Sequence, residues 1–353
     1  MKRGFPWLAL AVFLGFTCIA WTPGDAGIGL SDPEAVKHHG TMIRPVADEP
    51  LTGNRNVLWC ATFQMAWDAA AASQGGKLDL LPKSRAADSL NRSRFDLRWI
   101  DADSVSVAGG RVSDGVLDRI AAGDRKRGGP SRLLGKLRKE SRADDLVFYA
   151  SLRKDLAFPT PFAKLGSWKV GERKVAWFGF RPDLEETGPL LKQVAVHHYA
   201  ARTDFVVELK SDQTNDRLLL AKLPRKPATL EAAARAVTDK VRDDSPAAGA
   251  SDLLAVPEVV ADEEVSFSEF EGRTVAGSVR FVRSASQTID FRMDEKGVKL
   301  RSEAQVTLGC SAHHQVDPRL MILDPPFVIV MVRKDAPKPY FIGWMANADL
   351  LGR

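Results

Sequence analysis

The stretch MDEKGVKLRSEAQVTL, Met293 to Leu308, alternates strictly along its second half. Val298, Leu300, Ser302, Ala304, Val306 and Leu308 are small or apolar, and Lys299, Arg301, Glu303, Gln305 and Thr307 between them are polar. Successive side chains on a strand point to opposite faces, so the pattern predicts a strand with one face for a core and one for water. It then gives way to GCSAHHQVDP, residues 309–318, which has no period. A long strand that opens into an irregular run asks for a sheet with a loop beside it.

Working outward, the neighbouring segments also read as strands. DLVFYASL (145–152), SWKVGERKVAWFGF (167–180), DFVVELKSDQTNDRLLLAKLP (204–224) and TVAGSVRFVRSASQTIDF (274–291) precede the stretch, and PPFVIVMVRKDAPKPYFIGWMA (325–346) follows it. They are broken by turn residues such as Gly171 and Asn215. Helical patterns concentrate earlier. NVLWCATFQMAWDAAAASQGG (56–76) reads as a buried strand end running into an Ala-rich helix that closes at Gly75 and Gly76, and TLEAAARAVTDKVRDD (229–244) as one short helix opened by Thr229. Residues 78–140 are less regular: FDLRWIDADSVSVAGGRV (95–112) suggests strand and turn, and DRKRGGPSRLLGKLRKESR (124–142) a basic loop and short amphipathic helix. Helices first and strands later, without β-α alternation, predict an α+β fold with large, mostly antiparallel sheets.

The 353 residues are enough for a sizeable core, and 44% hydrophobic residues is an ordinary globular share. A net charge of +5, with 45 acidic and 50 basic residues mixed throughout, gives no strong argument for nucleic acid. Lys2 and Arg3 precede an apolar run from Phe5 to Trp21 and a small-residue site near Ala26. This reads as a signal peptide over residues 1–26, or an N-terminal anchor, ahead of one domain over 27–353, and predicts a secreted or periplasmic protein. Cleavage there leaves Cys60 and Cys310, too few for a disulfide framework.

The order of these segments resembles a serpin. TIDFRMDEKGV is similar to the family's hinge IDEKGT, DPPFVIVMVRKDAPKPYFIGWMANAD to its closing hairpin, and AVPEV to its VPKF. DDLVFYASLRKDLAFPTPFAKLGSWKVGERKVAWFGF resembles its central strand, lysine-bearing turn, PF dipeptide and strand pair. The resemblance implies a serpin-like α+β domain, N-terminal helices first, with an exposed reactive-centre-type loop near the C-terminus. A protease cuts this loop, which then enters the large sheet as an added strand. Carried over, Glu295, Gly297 and Val298 form the hinge, Leu300, Ser302, Ala304, Val306 and Leu308 the inserting face, and Ser311 and Ala312 flank the scissile bond. Arg319 is the alternative specificity residue, for trypsin-like cleavage. No catalytic residue, cofactor or metal is implied; the partner is an extracellular or periplasmic protease of the serine or cysteine type, met by a monomer.

Three departures qualify that expectation. Lys299, Leu300 and Arg301 are bulky where inhibitory members of the family place small residues. The polar cluster of the family's sheet-opening region falls on Cys60, Phe63, Tyr149 (or Phe148) and Gln287, as if replaced by packing. The segment from Val256 to Gly297 is short, as if a helix were trimmed. A non-inhibitory serpin-fold scaffold or protease substrate therefore stands beside the inhibitor reading.

Other constellations compete. Cys60, His197, His198 and Asn215 follow the chain order of papain-like peptidases, but without that family's Gly-rich context, so a buried structural Cys60 is expected. Cys310, His313 and His314, and His38 with His39, have no regular metal-ligand spacing. Arg125, Lys126, Arg127, Lys136, Arg138 and Lys139 could dock an acidic polysaccharide or form a solvated helix face. No nucleotide loop, metalloprotease motif or nucleophile elbow is present.

Overall fold

A computed structural model describes residues 40–127, 132–184, 187–212, 215–299 and 319–352, all within one unit, Pro33–Arg353. The signal-peptide reading of residues 1–26, the inserting face and the scissile bond lie outside the described residues.

The chain opens with β1 (Thr41–Ile43) and β2 (Asn56–Cys60), then α1 (Thr62–Ser73), which ends at Gly75 with φ +87°. There follow β3 (Leu80–Leu81), α2 (Arg85–Arg92), β4 (Val105–Arg111), α3 (Val116–Lys126) and α4 (Arg132–Glu140). Residues 78–140, irregular in sequence, thus hold three of the helices. Ser84 accepts from the Ala87 amide at the start of α2, a capping bond that a helix of only eight residues needs. Next come β5 (Leu146–Leu152), β6 (Asp155–Ala157), β7 (Ala163–Val170) and β8 (Arg173–Phe180), then α5 (Thr187–Lys192), β9 (Val194–Ala201), β10 (Asp204–Leu209) and β11 (Asp216–Lys222). Thr229 caps α6 (Leu230–Thr238) by accepting from the Ala232 amide at 3.0 Å. The rest is strand: β12 (Leu253–Pro257), β13 (Val259–Ser266), β14 (Thr274–Val275), β15 (Ser286–Asp294), β16 (Gly297–Lys299), β17 (Leu320–Ile322), β18 (Phe327–Arg333) and β19 (Phe341–Met345).

Seven strands form the largest sheet, in the order β1-β2-β19-β18-β11-β10-β9, antiparallel except for β1 with β2. Its central strands are apolar runs rather than alternations, because both faces are covered. α6 packs on one face of β18 and β19, and on the other Phe291 of β15 stacks on Phe341 with ring centroids 4.7 Å apart. A second sheet has the order β17-β12-β8-β7.

The sheet that the opening stretch was expected to join is not continuous. β13-β15-β16-β6 form one piece, while β4 and β5 pair only with each other. α1 packs against β4, β5 and β15, spanning the break from one side, and α4 touches β15 from the other. Between β13 and β15 the chain makes turns and β14 but no helix, in keeping with the short spacing from Val256 to Gly297.

Candidate functional site: the hinge and the cleft below it

β15 ends in a tight turn at Glu295 and Lys296, and the chain returns as β16. The alternation of the sequence places Val298 on the core face, and it is fully buried against its strand partners Met293 and Leu156. β16 pairs antiparallel on both sides, with β15 through Asp294–Gly297 and with β6 through Gly297–Ala157. The three residues are thus a middle strand, held by backbone bonds at both edges. Gly297 is required there. Its φ is +156°, and a Cβ would lie 2.3 Å from the Leu156 carbonyl oxygen.

The turn is stitched to the FPTPF segment, residues 158–162. The Phe158 amide donates to the Lys296 carbonyl at 2.8 Å, and the Phe162 amide to the Glu295 carbonyl at 2.7 Å. The Glu295 carboxylate is buried, with Lys164 Nζ 3.4 Å away. Nearby, burial pushes the Glu258 carboxyl above its ordinary range; Lys164 opposes the shift, and Glu295 and Asp294 add to it.

Below β16 the two pieces of sheet part. The edge of β15 facing away from β13, from residue 286 to 291, has no partner strand among the described residues, nor has the edge of β5 facing away from β4. Between them lies a cavity of about 600 Å³, lined by β5, β15, α1 and α4. On the α4 side Arg132 pairs with Asp262, and Lys136 Nζ lies 3.9 Å from Glu264, so the helix is tied to β13 across the gap.

Cys60, Phe63 and Gln287 come together at the wall of this cavity. Gln287 Nε2 donates to the Cys60 carbonyl at 3.1 Å and to the Thr62 hydroxyl at 2.8 Å, so a polar link survives where packing alone was expected. Phe63 meets Phe267 edge-on at 4.6 Å and stacks on Phe270 at 5.6 Å. Tyr149 does not share this face. Its hydroxyl bonds Asp124 of α3 at 3.0 Å, and by strand alternation Phe148, not Tyr149, lies on the α1 side with Ala150 and Leu152. Burial pushes the Cys60 thiol above its ordinary range, against hydrogen bonds from Thr62, which disfavours the thiolate of a peptidase.

The far end of the loop is anchored as well. Arg319 Nε and Nη2 grip Asp252 at 3.0 and 2.5 Å, and the Leu320 amide donates to the Tyr199 hydroxyl at 3.0 Å. A side chain so engaged is not offered to a protease pocket, which counts against Arg319 as a specificity residue. Of the six basic positions, Arg127 donates to the carbonyls of Ala102, Asp103 and Gly123, Arg138 pairs with Asp118 at 3.2 Å, and Lys136 faces Glu264. Arg125, Lys126 and Lys139 remain exposed without a described partner, a smaller surface than the run of sequence suggests.

Two buried polar clusters had no sequence signal, because their members lie far apart in the chain. Lys154 Nζ bonds Asp101 at 2.5 Å and Asp216 at 2.6 Å, and the Tyr340 hydroxyl donates to Asp216 at 3.1 Å. Burial raises the Asp216 carboxyl despite Lys154. At Asp101 burial is outweighed by Lys154 and Arg333, and the carboxyl is lowered. In the second cluster His197 Nδ1 accepts from the Arg242 amide at 3.3 Å, which leaves Nε2–H for Glu208 at 2.9 Å; Ser245 Oγ lies 2.7 Å from Nδ1. This Ser-His-Glu contact clamps the segment after α6 to β9 and β10, with the Ser245 hydroxyl 2.7 Å from His197 Nδ1 and 2.9 Å from the Arg242 carbonyl, one proton serving either.

No family model matches the chain, and no curated protein matches it. Among solved structures it is similar to a highly specific serpin of the insect Tenebrio molitor, at 11% identity and a TM-score of 0.46, over 83% of this chain and 92% of that one. It is similar also to thyroxine-binding globulin in complex with thyroxine, at 10% identity and a TM-score of 0.45, over 84% and 94%. With a tight turn between two paired strands and a parted central sheet, the fold is α+β.

Proposed function

We propose that the protein meets a serine or cysteine endopeptidase through residues 300–318 and responds to cleavage by taking the freed segment into the cleft between β5 and β15. The observation that carries this is β16, already paired on both edges at the head of a cleft whose two strand edges have no partner strand among the described residues. Continuing its register sets Leu300 opposite Phe291 and Lys154, Ser302 opposite Ile289 and Leu152, and Ala304 opposite Gln287 and Ala150. Directly opposed residues share a face, so the small and apolar set would turn to the α1 side. Each large apolar side chain buried contributes about 1.5–3 kcal/mol, and the open backbone edges gain partners.

In the inhibitory form of this reaction, the protease nucleophile forms an ester or thioester with a loop carbonyl as the peptide C–N bond breaks. If insertion outruns attack by water, that bond persists. Arg301 works against speed: its register brings it beside Arg153 and toward Asp290, which already lies in the field of Arg132 on α4. This favours, as a second reading, a substrate or scaffold that inserts slowly or traps nothing.

Incubation with a panel of serine and cysteine endopeptidases separates the two. A complex that survives boiling in detergent supports inhibition, and a loop cut within 300–318 with no complex supports the substrate reading. Proteases that cut the chain only elsewhere would overturn both. The leader reading adds that the encounter takes place outside the cytoplasm, and N-terminal sequencing of the exported protein tests cleavage near Ala26.

A further inference from the structure

Three of the exposed large apolar side chains gather on one small sheet: Leu81 is 51% exposed, Phe281 51% and Val279 101%. β14 pairs with β3 through Thr274 with Leu81 and Val275 with Leu80, and on its other side Thr274 bridges Phe281. Opposed residues share a face, so Leu81, Thr274 and Phe281 form an outward row, while the buried Leu80 and Val275 form the inward one. The Val275 amide donates to the Arg280 carbonyl and the Val282 amide to the Arg273 carbonyl, both at 2.9 Å, which closes a hairpin with Val279 in its turn. Arg273 Nη1 pins this hairpin to β3 by donating to the Pro82 and Lys83 carbonyls at 2.6 and 3.0 Å. The outward row of a half-buried sheet is ordinarily polar, so Leu81 and Phe281 with a bare valine beside them mark a contact surface.

The charge around this tip has one sign. Residues 77–85 and 273–283 carry Lys77, Lys83, Arg85, Arg273, Arg280 and Arg283, with Asp79 as their one acid. From elsewhere in the chain Asp145 pairs with Arg283, while Glu269 and Glu49 lie in the fields of Arg273 and Arg85. Lys77, Lys83 and Arg280 have no carboxylate partner among the described residues. Arg283 also sits over the Phe281 ring, 5.2 Å from its centroid, so cation and apolar surface adjoin. A second copy of the chain would set this patch against itself, basic against basic. An anionic leaflet matches both parts, since its headgroup region takes up apolar side chains and its phosphates attract lysine and arginine.

We infer that this tip docks on an anionic phospholipid membrane, with Leu81, Val279 and Phe281 entering the headgroup region and Lys77, Lys83 and Arg280 held at its surface by charge. Val279 stands clear of its own chain, so it can enter a fluid interface without a shaped pocket. The tip precedes Ser286, at the other end of β15 from Glu295, so docking keeps the hinge away from the bilayer. The surface does not depend on the function proposed above.

The test places a polarity-sensitive nitrobenzoxadiazole label on Val279→Cys in the full chain, with Cys18→Ser and Cys310→Ser; Cys60 is buried and escapes labelling. Emission then reports the tip itself, however the N-terminal apolar run behaves. Vesicles of phosphatidylcholine with about 30% phosphatidylglycerol should shift the emission to the blue and brighten it, and pure phosphatidylcholine should bind at least tenfold more weakly. Molar salt should weaken the response to the anionic vesicles. Lys77→Glu with Lys83→Glu, both at exposed positions, should cost about tenfold or more in affinity, and Phe281→Ser severalfold. No spectral change with anionic vesicles, or an equal change with neutral ones, would overturn the proposal. So would the same change with poly-glutamate, which would mark an acidic polypeptide as the partner, or a change that grows with protein concentration without lipid, which would mark a second copy.

Discussion

At Gly297 the backbone of the hinge comes so close to β6 that a Cβ would press on the Leu156 carbonyl oxygen. Gly297→Ala is expected to cost more than about 1 kcal/mol, because neither the positive φ nor the contact suits a side chain, and to lower the thermal midpoint by several degrees. Lys154 presents the opposite chemistry, a buried cation held between Asp101 and Asp216. Lys154→Met leaves two carboxylates facing each other and should destabilise by roughly 3–5 kcal/mol, part of which returns when Asp216→Asn is added. Denaturant melts of the single and double variants measure both. Glu208 shows how charge in the core responds to pH. Burial alone would raise its carboxyl, but His197 and Arg217 outweigh burial and hold it below its ordinary value. Between the lowered folded value and the ordinary unfolded one the unfolded chain binds more protons, so stability falls as acid is added below about pH 5. In Glu208→Gln that decline should be shallower, and midpoints measured from pH 6 down to 3 check it.

Among the elements, those that sequence made legible were the ones whose pattern comes from their own neighbours. β2 running into α1, the β7–β8 hairpin with Gly171 at its turn, β10 with β11, and β18 with β19 all lie where alternation and turn residues put them. The burial of Val298 agrees with the alternation of its stretch, whereas the two-residue turn at Glu295 and Lys296 between β15 and β16 was not read there, because the stretch patterns as one strand. Contacts between residues far apart in sequence were not legible. Nothing in ESRADD or EVSFSEF announces that β5 and β13 belong to separate pieces of sheet, or that α4 bridges the two through Arg132 and Asp262. Tyr149 and Phe148 are adjacent, and only the pairing of β4 with β5 decides which one faces α1. Arg319 was open to two readings in sequence, and Asp252 holds it through a carboxylate that also accepts from the Gly249 amide at 2.6 Å. This anchor gives a prediction for β17. Trypsin should cut after Arg319 slowly in the native chain, and in Asp252→Asn severalfold faster, as mass spectrometry of early digestion fragments would show.

For the whole molecule the central fact is that among the described residues β5 and β15 do not pair, and that a cavity of about 600 Å³ lies between them below β16, which is paired on both edges. Filling that gap with residues 300–308 would pair two open edges and bury several apolar side chains, a gain on the order of 10 kcal/mol. At roughly 2–4 °C per kcal/mol for a domain of a few hundred residues, this is a rise of tens of degrees. The most direct measurement is therefore the thermal midpoint of the purified protein before and after a single proteolytic cut within residues 300–318. The account predicts that the cut form melts about 20 °C or more above the intact one. A midpoint that stays the same or falls would contradict it, because the freed segment would then have gained nothing from the cleft.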